Sequence, residues 1–116
     1  MAGESIVFFP KYTTLCGFSG GGLTYYSDPF EMTGYKTVTA ETGFGGAIGS
    51  GAISAQMQQS SDLITWTSFG SPMAPTSGAA QETEPDPARY VRLQVTITGG
   101  AGSVVTFWAK AVARDC

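Results

Sequence analysis

Carboxylates are the side chains best suited to chemistry in this chain, which contains no histidine. A glycoside hydrolase needs two carboxyl groups, one as an acid and one as a base or nucleophile. The candidates are Glu31, Glu41, Asp62, Glu82, Glu84 and Asp86. Most fall in predicted loops, and the stretch QETEPDPAR, residues 81–89, is typical of a solvated acidic loop. Without histidine, neither a Ser-His-Asp nor a Cys-His arrangement can form. We therefore expect no enzymatic activity.

The two cysteines could form a disulfide or remain free. Cys16 and Cys116 stand one hundred positions apart, and a bridge closing such a loop could stabilise the fold by ~4 to 5 kcal/mol. The N-terminal MAGES shows no secretory signal, so we expect the chain to be made in a reducing cytoplasm. Free thiols are the preferred interpretation. No further cysteine or histidine completes a tetrahedral metal site, and we expect no metal or other cofactor.

A glycine-rich segment, GFGGAIGSG at residues 43–51, has spacing similar to that of phosphate-binding loops. Such a loop needs a strand before it and a helix after it. The following residues instead alternate, with Ile53, Ala55 and Met57 separated by polar side chains. No lysine or acidic ribose partner follows at a suitable distance. The segment is therefore interpreted as a loop between two strands.

The charge and hydropathy of the chain argue against nucleic-acid and membrane partners. The formal net charge is −3, and the six lysines and arginines are scattered rather than clustered. The electrostatic attraction that drives phosphate binding is therefore missing. The longest apolar runs are far shorter than the ~20 residues that a membrane span requires.

Four aromatic residues could stack against a sugar ring: Trp66, Trp108, Tyr25 and Tyr26. For Trp66 the alternative is structural. Asp62 can accept backbone N–H groups in an Asx turn after a strand at 52–60, and Trp66 then begins the next strand. We predict that Trp66 faces the core, where Trp66→Ala would cost ~3 to 5 kcal/mol. Trp108 lies opposite the Phe107 face, toward solvent or a second interface.

Alternating residues predict several strands. The segment YVRLQVTIT, residues 90–98, places Val91, Leu93, Val95 and Ile97 on one face. Residues 104–112 alternate in the same way, and the glycines between 99 and 102 favour a tight turn. We predict that these two strands pair as an antiparallel hairpin. A further strand is predicted over 35–42. Short strands joined by Gly- and Pro-rich loops indicate an all-β antiparallel β-sandwich or jelly roll.

The first 23 residues form a predicted N-terminal arm and glycine hinge, separate from a sandwich domain at 24–116. We predict that the arm docks against a neighbouring subunit or the capsid shell, adding a strand by its backbone and anchoring through Phe8 and Phe9. These candidate interface residues are Ile6, Val7, Phe8, Phe9 and Tyr12. The alternative is that residues 5–9 are the first strand of the chain's own sheet. Deleting residues 1–12 should separate the two interpretations.

Three stretches carry a resemblance to a known layout: MQQSSDLITWTSFGS, ARYVRLQVTITGGAGSVVTFWAKAVAR and DPFEMTGYKTVTA. Over residues 24–114 the chain resembles bacteriophage virion modules, and is similar to discoidin-like β-sandwiches and to jelly-roll capsid decoration (cement) proteins. It is shorter than discoidin domains and lacks their bracketing cysteine pair, which argues against calcium-assisted sugar or lipid binding.

The resemblance implies a structural virion protein that decorates or cements a bacteriophage capsid. Its partners would be the major capsid protein and its own copies, with a homotrimer favoured because closed rings limit assembly. It would be assembled in the host cytoplasm and located on the capsid surface. The alternative function is a non-catalytic carbohydrate-binding module using the four aromatic residues.

Overall fold

The computed structural model describes residues 3–16, 23–49, 51–76, 78–99 and 103–115. The strands of this part of the chain are β1 (Gly3–Cys16), β2 (Leu23–Tyr26), β3 (Phe30–Glu31), β4 (Thr37–Ile48), β5 (Ala52–Ser60), β6 (Thr67–Ser68), β7 (Gly78–Pro85), β8 (Tyr90–Thr98) and β9 (Val104–Arg114). Across these ranges, no helix is long and apolar enough to cross a membrane.

The strands form two antiparallel sheets. Sheet 1 has the order β1-β9-β4-β7, and sheet 2 has the order β2-β8-β5-β6, with β3 also pairing with β8. Side chains from the two sheets meet between them: the Phe8 and Phe30 rings pack edge to face with centroids 5.8 Å apart. The prediction of an all-β antiparallel β-sandwich is confirmed.

The core is built from alternate residues of the central strands. Val91, Leu93, Val95 and Ile97 of β8 are fully buried, as the alternation predicts. In β9 the buried set is Val105, Phe107, Ala109, Ala111 and Ala113.

The predicted hairpin between residues 90–98 and 104–112 is wrong. Both strands exist, but β8 pairs with β5, β2 and β3, while β9 pairs with β1 and β4. The intervening connection therefore crosses from one sheet to the other. Two strands that face each other across a sandwich show the same alternation as two that pair side by side, so the pattern does not distinguish them.

The glycine-rich segment is mostly strand, which corrects the predicted loop at 43–51. β4 continues through Ile48, with a register shift between Phe44 and Gly46 where it pairs with β9. Glycine is compatible with such a bulge because it has no side chain to misdirect. The chain turns at Gly49, whose φ of 74° suits glycine.

The N-terminal apolar run belongs to β1, which pairs with β9 of the same chain. Ile6 and Phe8 are buried, Phe9 packs against Phe107 at 5.2 Å between centroids, and Val7 is 56% exposed. This is the intramolecular alternative left open by the sequence, and it corrects the expectation that Ile6 and Phe8 are free to anchor on a neighbour. The predicted glycine hinge, residues 17 and 20–22, lies outside the described residues, and the division into arm and sandwich stays a prediction.

Both edge strands of sheet 1 carry features that oppose the addition of another strand. The edge strand β1 contains Pro10 and two register shifts against β9. The other edge strand, β7, has Glu82 and Glu84 half-buried at the positions that alternate with its exposed residues. Proline, bulges and inward-facing charges are common devices that prevent edge-to-edge pairing. Contacts with other proteins are therefore better sought on the sheet faces.

Candidate functional site

The four aromatic residues predicted as one sugar platform are divided between different surfaces. Tyr26 and Trp66 converge on the outer face of sheet 2, whereas Trp108 lies on the outer face of sheet 1. Tyr25 is half-buried and packs against the core, and its hydroxyl donates to the carbonyl of Cys16 at 3.1 Å. A single platform of four aromatic rings is therefore not formed.

Tyr26 and Trp66 meet at an arginine that the sequence analysis did not select. The Cζ atom of Arg92 lies 4.1 Å from the centroid of each ring. Its Nε donates to Oε1 of Gln58 at 2.8 Å, and Gln94 donates to the Tyr26 hydroxyl at 3.4 Å. We call Tyr26, Gln58, Trp66 and Arg92 the Arg92 cluster. A lone arginine at an outward strand position carried no signal, because its two ring partners come from other strands.

The position of Trp66 differs from the prediction that it faces the core. Ser68 pairs with Gln58 on β5, and Trp66 lies two residues before Ser68, so all three share the outer face. Phe69, 5% exposed, takes the core position instead. Trp66 is half-buried against Arg92, and Trp66→Ala should cost less than a core substitution.

The turn before Trp66 is held by a network around one carboxylate, which confirms the predicted Asx turn. Oδ1 of Asp62 accepts the backbone N–H groups of Ile64 and Thr65 and the hydroxyl of Ser60, each at 2.9 Å. These donors lower the pKa of Asp62, the Thr65 amide most strongly. Leu63 adopts a φ of 66°, uncommon for a bulky residue. Ile64 in this turn is 83% exposed, and the turn positions the backbone that leads into Trp66.

Trp108 is held on the outer face of sheet 1 by its neighbours. Its indole lies against Gly43, the residue opposite it on β4. The ammonium groups of Lys11 and Lys110 lie 4.9 and 5.4 Å from the ring centroid, and Lys110 also contacts Glu41 at 3.8 Å. This covered ring is poorly suited to stacking with a sugar.

An open apolar groove lies on the same outer face, between the C-terminal part of β4 and the N-terminal part of β9. It has a volume of about 280 Å³, and we call it the sheet-1 groove. Its lining residues are Gly45, Gly46, Ala47, Ile48, Val104 and Thr106. Ile48 is 69% exposed, and Tyr12, 66% exposed, lies beside Gly45. Of the predicted interface residues, Val7 and Tyr12 are thus at the surface, and only Tyr12 borders the groove.

The candidate catalytic carboxylates have contacts of their own. Glu31 pairs with Arg89 at 3.4 Å, and Glu41 accepts a hydrogen bond from Gln81 at 2.6 Å. A hydrogen bond with Glu82, together with burial and the Glu82 charge, raises the pKa of Glu84. Among the described residues, no group of three or more Cys, Asp or Glu side chains could hold a metal ion. Cys16 is exposed at the end of β1, and Cys116 lies outside the described residues.

Comparison of the sequence with protein-family models and with curated proteins finds no match. Solved structures share its fold at low identity. The PBSX exported protein XepA superimposes with a TM-score of 0.66 at 11% identity, over 96% of this chain and 37% of XepA. VP2 in the infectious bursal disease virus subviral particle superimposes with a TM-score of 0.66 at 14% identity, over 97% of this chain and 32% of VP2. A subunit of the disulfide-linked pili of Bacillus endospore appendages superimposes with a TM-score of 0.54 at 11% identity, over 97% of this chain and 86% of the pilus subunit.

The chain spans about a third of the length of XepA and of VP2. At identities between 11% and 14%, these similarities show a shared fold. The chain therefore has a β-sandwich fold that also occurs in a viral particle protein, an exported protein and a pilus subunit.

Proposed function

We propose that the protein is a non-catalytic structural protein of a bacteriophage virion, which decorates or cements the capsid through protein–protein contacts. Its partners are the major capsid protein and its own copies. The protein is assembled in the host cytoplasm and lies on the capsid surface. The observation that carries this proposal is the sheet-1 groove, an exposed apolar surface in a compact sandwich. The fold shared with VP2 of a subviral particle supports a role in particle assembly.

The outer face of sheet 1 is the best candidate contact surface. Four exposed apolar or aromatic side chains belong to its strands: Val7 at 56%, Tyr12 at 66%, Ile48 at 69% and Val112 at 38%. Exposed apolar side chains grouped on one face commonly mark interaction surfaces. Since proline, bulges and inward charges protect the edges of this sheet, contact through the face is favoured over strand addition.

Self-association into a closed trimer fits this role. A ring of identical subunits satisfies its apolar contacts without unlimited growth. Burying Tyr12 and Ile48 in the subunit interface would also remove from water the two most exposed of the four side chains on this face.

Sedimentation equilibrium at tens of micromolar tests the proposal directly. We expect an oligomer for the native protein and a shift toward monomer for Ile48→Ser and Tyr12→Ser. Ile64→Ser is the control, since Ile64 is an even more exposed apolar residue, 83% exposed, in the turn between β5 and β6, away from the sheet-1 groove. A 12.1 kDa monomer would contradict self-association. Absence of the protein from purified virus particles, measured by mass spectrometry, would contradict the virion role.

Carbohydrate binding is a second candidate function because the Tyr26 and Trp66 rings meet at Arg92 in the Arg92 cluster. Its ligand chemistry is argued next.

A further inference from the structure

We propose that the Arg92 cluster is a binding site for an acidic sugar, whose carboxylate pairs with the terminal nitrogens of Arg92 and whose ring lies against Tyr26 and Trp66. The site is on the outer face of sheet 2. It is separate from the sheet-1 groove, and it does not depend on the capsid role.

The guanidinium of Arg92 is positioned so that only one part of it is open to a ligand. Its Cζ atom lies 4.1 Å from the ring centroids of both Tyr26 and Trp66, and Gln58 accepts its Nε–H. Nη1 and Nη2 have no hydrogen-bond partner or carboxylate among the described residues. A planar guanidinium held in this way presents two parallel N–H donors, which is the geometry that binds a carboxylate in bidentate fashion.

Arg89, the residue immediately before β8, is an arginine that already has a carboxylate partner. Its Cζ lies 5.2 Å from the Tyr90 ring, but its Nη2 already contacts Glu31 at 3.4 Å. Arg92 has the closer ring contacts and lacks the carboxylate. The two arginines at this end of β8 therefore differ: Arg89 pairs with Glu31, and the Arg92 guanidinium leaves its terminal nitrogens available to an external carboxylate.

The surroundings of Arg92 favour a hydroxyl-rich ligand over an apolar protein surface. Arg92 is the one charged side chain at the outward positions of β2, β5 and β8. The other outward side chains of these strands are mostly neutral hydrogen-bonding groups: Thr24, Ser54, Gln56, Gln58, Gln94 and Thr96. The Gln58 amide binds Arg92 through its oxygen, which leaves its nitrogen on the side away from that bond as a further donor. Neutral amides and hydroxyls beside the exposed Tyr26 ring and the half-buried Trp66 ring suit a sugar.

Hydrogen bonds within the protein help to position both rings of the site. Asp62 binds the backbone N–H of Thr65, the residue before Trp66, at 2.9 Å. Gln94 donates to the hydroxyl of Tyr26 on the other side. Because both rings also contact Arg92 in the absence of a ligand, the three side chains that would bind the sugar are already assembled, which reduces the ordering cost of binding.

Nuclear magnetic resonance titration of the full chain tests the proposal with four probes: N-acetylneuraminic acid, glucuronic acid, N-acetylglucosamine and acetate. We expect saturable shifts from the two acidic sugars at Trp66, Tyr26 and the amides of β8. N-acetylglucosamine should give no such shifts at the same concentration, and acetate should bind more weakly than either acid, since it lacks the sugar ring.

Two substitutions of Arg92 and one control locate the site. Arg92→Gln should weaken the acidic sugars by at least about tenfold, and Arg92→Lys should weaken them less, because lysine keeps the charge and loses the fork. Arg89→Gln, the matched control, should bind like the native protein. Thermal unfolding of each variant checks folding, and if Arg92→Gln unfolds, Arg92→Lys carries the comparison.

Three results would overturn the proposal. The first is the absence of shifts from both acidic sugars up to tens of millimolar. The second is equal binding of N-acetylglucosamine. The third is unchanged binding by Arg92→Gln, or unchanged binding by Arg92→Lys if Arg92→Gln unfolds. Retained sugar binding in Ile48→Ser would show that the site acts independently of the sheet-1 groove.

Discussion

The indole ring of Trp108 lies in the space that a β-carbon on residue 43 would occupy. Gly43 and Trp108 are directly opposite each other on β4 and β9. A glycine inside a strand usually weakens it, but here it permits an aromatic ring to lie flat on the backbone. The pair explains why β4 runs through a glycine, and why Trp108 is covered rather than available as a sugar platform.

Gly43→Ala should therefore destabilise the fold by ~1 to 3 kcal/mol, because the new methyl group forces the Trp108 ring to move. Urea unfolding measures the change. Gly3→Ala is the control, since a β-carbon there would meet its nearest neighbour at an ordinary 3.4 Å. In a double-mutant cycle, Trp108→Ala should relieve part of the Gly43→Ala cost. Equal stability of Gly43→Ala and Gly3→Ala would show that the ring moves freely.

Two adjacent residues of β1 should respond very differently to truncation. Phe8→Ala should cost ~3 to 5 kcal/mol, because Phe8 is 6% exposed and contacts Phe30 across the core. Val7→Ala should stay within about 0.5 kcal/mol, because Val7 faces solvent. Chemical denaturation measures both variants. A small effect of Phe8→Ala would indicate that the first strand is not part of its own core, and would restore the interpretation of residues 1–23 as a detachable arm.

The Asp62 turn should make stability depend on pH. The pKa of Asp62 is lowered from its ordinary value of 3.8, mainly by the amides of Thr65 and Ile64. Because the folded pKa lies below the unfolded one, the stabilisation is present above the unfolded pKa and is lost as pH falls through the folded pKa. Asp62→Asn should lower the melting temperature at neutral pH by a few degrees, and the difference should shrink in strong acid.

The control for this variant is Asp28→Asn, since the Asp28 carboxylate has no hydrogen-bond partner among the described residues. It should leave the melting temperature and its pH dependence nearly unchanged. A pH-independent effect of Asp62→Asn would mean that the turn depends on side-chain shape rather than on the carboxylate charge.

The glutamate pair on β7 should have the opposite pH dependence. Glu84 has a pKa raised above its ordinary value of 4.5, first by its hydrogen bond with Glu82 and then by burial and by the Glu82 charge. With the folded pKa above the unfolded one, the stabilisation is present below the unfolded pKa and is lost as pH rises through the folded pKa. Glu82→Gln should therefore raise the melting temperature at neutral pH, with a smaller gain in acid.

Glu41→Gln tests whether any loss of negative charge has this effect. Glu41 contacts Lys110 at 3.8 Å and Gln81 at 2.6 Å, so its neutralisation should not stabilise the protein. If Glu41→Gln and Glu82→Gln raise the melting temperature equally, the gain comes from net charge and not from the pair.

The sequence by itself determined which residues of β8 and β9 are buried and where the chain turns at Asp62. Both are local properties. The two-residue period of a strand decides which side chains share a face, and a short side chain can bind amides only two or three residues away. The apolar alternation of Val91 to Ile97 therefore predicted four buried residues correctly.

Only the tertiary structure decided which strands pair and which surface residues meet. Alternation defines a buried face but does not identify the neighbouring strand, so the sequence predicted a hairpin of β8 and β9 although they belong to different sheets. The outward side of Trp66 likewise follows from the register of β6, whose Ser68 pairs with Gln58, and the contact of Trp66 with Arg92 joins residues 26 apart in the chain. Pairing and register depend on the free energy of packing two whole sheets together, which no short stretch of sequence contains.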